Sequence, residues 1–165
     1  MSGEAAAAVT GATPGIQISE AERELVGEEI AALAGSIHDE AARARYAALG
    51  AAVAAGEVAE DLVSDLEGLL ELSLGTGRAR RLHGADGEGL LLRLYQQTPR
   101  GAAIKKRTDD VNRALSALAG QTLHGLSFTP LGPGAYKLEI ATDRCQIAVE
   151  TGRLGVTVDS LGVDL

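Results

Sequence analysis

The side chains able to do chemistry are few in this chain, and their spacing is unhelpful to catalysis. It has three histidines, His38, His83 and His124, and a single cysteine, Cys145. No histidine has a second His, Cys or carboxylate at a metal-ligand spacing, so a structural zinc site is not expected. His38-Asp39-Glu40 are neighbours in sequence, and neighbours do not share a helix face. Gly75-Thr-Gly-Arg78 resembles part of a phosphate loop, but it lacks the Gly-Lys-Ser/Thr ending and follows a helix rather than a strand. Helix termination accounts for it better. No Gly-x-Ser-x-Gly elbow occurs. Cys145 falls at an inward strand position, where a thiol behaves as a small hydrophobe; exposed beside Arg144 it would be a more reactive thiolate. Asp61 and Asp65 share a helix face, and Asp109-Asp110 are adjacent. Exposed acidic faces explain both pairs. No catalytic, cofactor or metal residue is assigned, and no cofactor is expected; whether the protein is an enzyme stays open, with the balance against.

The one strong chemical signal is charge segregation. Residues 1–77 carry three basic and fourteen acidic side chains, net −11, whereas residues 78–113 carry nine basic and four acidic, net +5. The basic block includes Arg78, Arg80, Arg81, Arg93, Arg100, Lys105, Lys106 and Arg107. It suits a docking patch for a protein, since arginine pairs bidentately and stacks at interfaces. It also suits an anion or nucleic-acid site, although the net charge of −8 opposes broad affinity for nucleic acid. Internal pairing with the acidic helices is the plain alternative. Aromatics amount to 2% of the chain, which removes most of the stacking that single-strand or sugar binding would use.

The elements that must position these residues are legible from periodicity. Residues 1–17 read as a flexible tail, without a periodic apolar pattern, a basic leader or a long apolar run. Ser19 and Glu22 form a capping box, and Val26, Ile30, Leu33 and Ile37 follow on one helical face. Asp39 caps a second helix to about Ala55, rich in alanine, with Tyr46, Leu49 and Val53 on its face. A third runs from about Glu57 to Leu74 and ends at Gly75-Thr76-Gly77. A glycine-rich link around Gly84–Gly89 precedes a short helix from Asp86 to Gln97. Thr98-Pro99 opens a last helix with Ile104, Val111, Leu115 and Leu118 on its stripe, stopping at Gly120.

Beyond Gly120 the period becomes two. Leu126 and Phe128, then Tyr136, Leu138 and Ile140, then Cys145, Ile147 and Val149, then Leu154, Val156 and Val158 alternate with polar residues across short turns. The expected fold is α+β. The helical N-terminal two-thirds, about five helices over 18–120, packs on a four-stranded antiparallel meander over 121–165, as one domain. Leu138, Ile140, Ile147, Val149, Val156 and Val158 are expected to be buried.

With no transmembrane run the expected location is cytoplasmic, with no membrane partner. The expected function is a non-enzymatic interaction module, such as an adaptor, assembly factor or chaperone-like protein. Another protein or a second copy in a homodimer is the expected partner, helped by the basic block. The alternatives are a regulatory anion or nucleic-acid binder using residues 78–107, and an enzyme with a cryptic site.

Overall fold

The computed structural model describes residues 15–152 and 155–163. The fold is α+β, helices first and an antiparallel sheet last, as the change of period requires. Contacts group the chain into two compact units that divide between Thr98 and Pro99.

The first unit begins with β1 (Ile16–Gln17), which pairs antiparallel with β2 (Glu57–Val58). These residues correct two expectations. Ile16 and Gln17 belong to a strand rather than a tail, and the third helix starts after Val58 rather than at Glu57. A two-stranded ribbon is too short to show periodicity, so no local pattern announced it. The rest of the expected tail, residues 1–14, lies outside the described residues.

Three helices follow from their caps: α1 (Glu20–Ala34), α2 (Glu40–Ala55) and α3 (Glu60–Gly75). Ser19 and Glu22 complete the capping box, and Asp39 Oδ1 accepts the Ala42 amide at 2.7 Å. α2 stops at Gly56 in the left-handed region, where its amide donates back to Ala52 and Val53.

α4 (Arg78–Gln97) corrects the expected link. Helix runs through residues 78–97 and breaks only at Gly84, whose φ of 69° and ψ of −171° bend it sharply. One glycine does what a six-residue linker was expected to do. Val26, Leu49, Val53, Leu66, Leu69, Leu70, Leu91 and Leu94 are buried in this unit.

The second unit contains α5 (Pro99–Ser116), β3 (Leu123–Gly132), β4 (Ala135–Thr142), β5 (Cys145–Gly152) and β6 (Gly155–Val163). The strands lie in chain order, every neighbour antiparallel. Register places Leu126 opposite Ile140 and Phe128 opposite Leu138. It places Ile140 opposite Ile147, Leu138 opposite Val149 and Val149 opposite Val158. These apolar residues therefore share one face of the sheet.

α5 lies on that face over β5 and β6. Val111, Ala114, Leu115 and Leu118 pack with Cys145, Ile147 and Val149. Ile147 and Val149 are buried as expected, but Leu138, Ile140, Val156 and Val158 are only half-buried. One helix spans about 10 Å, roughly two strand spacings, so it cannot cover four strands.

Candidate functional site

The half of the sheet that α5 leaves bare is the first candidate. Leu126 and Phe128 on β3 are 63% and 62% exposed, and Tyr136 on β4 is 40% exposed. Phe128 and Tyr136 lie diagonally across the β3–β4 pair, with ring centroids 5.1 Å apart. Leu138 and Ile140 continue the surface toward the covered half. On the opposite, polar face Lys137 Nζ reaches Asp159 at 3.0 Å, and Ser127 donates to Glu139 at 3.1 Å. The hydrogen bond that Lys137 donates to Asp159, and the charge of Asp159, raise Lys137 above its ordinary pKa.

β3 is also an edge strand. Its ten residues, Leu123 to Gly132, contain no Asp, Glu, Lys or Arg. Proteins commonly protect such edges with charge, with proline or bulges, or with a covering element. β3 has Pro130 and irregular register near each end, but the stretch from Gly125 to Pro130 pairs regularly with β4. β6, the other edge, carries Asp159 and lies against α5.

The second candidate is an ionic cluster inside the helical unit. Glu29 of α1 is 3% exposed. Its Oε2 accepts from Arg78 Nε at 2.9 Å and its Oε1 contacts His83 Nε2 at 2.8 Å. Burial alone raises the Glu29 carboxyl pKa. The hydrogen bonds from His83 and Arg78, with the charge of Arg78, outweigh burial and hold it below its ordinary value. An ionised carboxylate only accepts, so His83 Nε2 bears the shared hydrogen. His83 Nδ1 faces Glu28 Oε2 at 3.5 Å. Gly87, one turn on, makes room for this histidine: a Cβ there would overlap His83 Cβ.

Beside the cluster is a pocket of about 250 Å³ lined by Glu29, Leu33, Leu69, Ser73 and Arg78 among others. The Ser73 hydroxyl is near enough to add a small pull on Glu29, yet its buried Oγ has no hydrogen-bond partner of good geometry. A serine nucleophile needs a base within hydrogen-bond reach. Here Glu29 uses both oxygens on Arg78 and His83, and no serine–histidine dyad forms. The arrangement can fix α1 against α4; its geometry does not supply an activated nucleophile.

The predicted basic residues do different things. Arg78 is committed to Glu29. Arg80 faces Glu88 at 3.5 Å, Arg81 donates to the Thr76 carbonyl at 3.0 Å, and Lys105 pairs with Asp109 at 2.8 Å. Arg78, Arg80, Arg81 and Arg93 belong to the first unit, and Arg100, Lys105, Lys106 and Arg107 to the second.

The acidic pairs are engaged too. Arg45 grips Asp65 through Nε and Nη2, the latter at 2.6 Å, and Arg113 pairs with Asp110 at 2.9 Å. Cys145 is buried on the central strand β5, its Sγ 3.5 Å from Gln121 Oε1. Among the described residues no three His, Cys, Asp or Glu side chains converge as metal ligands would, and no helix is long and apolar enough to cross a membrane.

Glu29 and His83 were missed as a pair in the sequence. A signal existed for Glu29, which lies three residues after Val26 and four before Leu33, on the apolar face of its helix. Nothing local marked its partner 54 residues away. Comparison with protein-family models, with curated proteins and with solved structures returned no match.

Proposed function

We propose that the protein is a non-enzymatic interaction module and that its working surface is the bare half of the sheet, formed by β3 and β4. The observation that carries this reading is the exposure of Leu126 and Phe128 on a regular, uncharged edge strand. A contiguous apolar surface with a strand edge beside it costs solubility and invites association, so its persistence is best explained by a protein that covers it. The surface offers no charge to a phosphate backbone, which favours a protein over nucleic acid. The basic residues of α4 and α5 have a secondary place in this reading. Several support the fold through pairs with Glu29, Glu88 and Asp109.

The test replaces the gene in its own host with a Leu126→Ser/Phe128→Ser form. This form should accumulate normally and reproduce the change in the host proteome that deletion causes. A host carrying it that matches wild type would overturn the reading.

A further inference from the structure

We infer that the occupant of the bare half-sheet is a second copy of this chain, stacked face to face about a two-fold axis; this rests on the reading of that surface as the working one. The geometry of the second unit is a step. α5 adds a layer over β5 and β6, while on the same face β3 stays bare and β4 is only partly covered, Leu138 touching the α5 core. A helix layer and a second sheet layer have the same thickness, about 10 Å. A stepped surface of this kind is complementary to itself. When two copies stack by their bare halves, the β3–β4 half of each fills the layer beside the other's α5. Each α5 then also comes to lie past the partner's β3, over the otherwise open strand edge.

Charge favours a like partner as well. The whole chain is net −8, so two copies repel unless they meet where neither carries charge. Leu126, Phe128, Pro130, Tyr136, Leu138 and Ile140, which register places on this face, are all uncharged. An acidic or basic partner would find no complement among them. A standard interface covers about 800 Å² on each partner. The exposed side chains of Leu126, Phe128 and Tyr136 supply the apolar area at its centre. The stacked rings of Phe128 and Tyr136 form the aromatic anchor that such interfaces concentrate at their centre.

The experiment is sedimentation equilibrium of the full chain across the micromolar range, for wild type, Leu126→Lys/Phe128→Lys and Phe128→Leu. Circular dichroism of each establishes that the fold is kept. The expected result is twice the chain mass for wild type and for Phe128→Leu. The lysine pair should associate about a hundredfold more weakly, because charge then faces charge at the anchor. A wild type at the single chain mass throughout overturns the inference, and so does a dimer that survives the lysine pair. A monomeric wild type whose Leu126→Ser/Phe128→Ser form still reproduces the deletion in the host removes the second copy but leaves the working surface in place. If that host matches wild type, both fail.

Discussion

Phe128 and Tyr136 stack on the bare half of the sheet with their ring planes 15° apart, although both are exposed in the single chain. Stacking orders two large side chains before anything covers them, which lowers the entropy lost on association. It contributes little to the fold by itself. Phe128→Ala is expected to lower the stability of the dilute, unassociated chain by about 0.5–1.5 kcal/mol, the range of an aromatic pair. Denaturant titration at low protein concentration measures this. A loss several times larger would mean that Phe128 belongs to the folding core.

Glu29→Gln keeps the shape of the buried cluster and removes its charge. The expected cost at neutral pH is about 1–3 kcal/mol, since Arg78 and His83 lose a charged partner. The pH dependence has a definite sign. The carboxyl of Glu29 lies below its ordinary 4.5 in the folded protein. The unfolded chain therefore takes up the proton first as pH falls. The stabilisation is complete above pH 4.5 and is lost as pH drops through the folded value. Wild type should lose stability over that acid window more steeply than Glu29→Gln, as thermal melts between neutral and acid pH will show. Parallel acid limbs would refute the role of Glu29.

Gly87→Ala introduces one methyl group where His83 already sits. In most exposed helix positions this change stabilises, by up to about 1 kcal/mol. Here it should destabilise, because the histidine or the helix must move and the contact with Glu29 is lost. Thermal melting of Gly87→Ala, alone and in a His83→Gly background, checks this. Because the overlap is with His83 Cβ, the glycine change should cost less once residue 83 has no Cβ. An equal cost in both backgrounds would mean that the glycine serves some other purpose.

Reversal of Arg78, Arg80 and Arg81 to glutamate separates the structural arginine from its neighbours. Arg78→Glu places a second carboxylate against buried Glu29 and should cost at least about 2 kcal/mol. Arg80→Glu/Arg81→Glu touches exposed groups and should cost less than about 1 kcal/mol. Equal losses in the two variants would show that the cluster around Glu29 is not what makes Arg78 matter.

Much of the secondary structure was already determined by local chemistry. Ser19 with Glu22, Asp39 before Ala42, and Gly56 after α2 act within one helical turn of themselves. The alternation of Leu138, Ile140, Ile147 and Val149 with polar residues dictates a strand with one apolar face. Such signals depend on neighbours three or four positions away at most, so they are readable in a line of letters. The ribbon of β1 and β2 lacked any such signal, being two residues on each side.

The tertiary structure decided the rest. It chose which half of the apolar face α5 covers, and so left Leu126 and Phe128 in the open while burying Ile147, although all three obey the same alternation. It brought Glu29 to His83 and Arg78, turning one acidic residue among fourteen in its segment into a buried, fully engaged carboxylate. It also drew Arg78 into that cluster and divided the remaining basic residues between two units. The physical reason is common to all three: burial and pairing depend on which elements meet, and a period of two or 3.6 states only which way a side chain points.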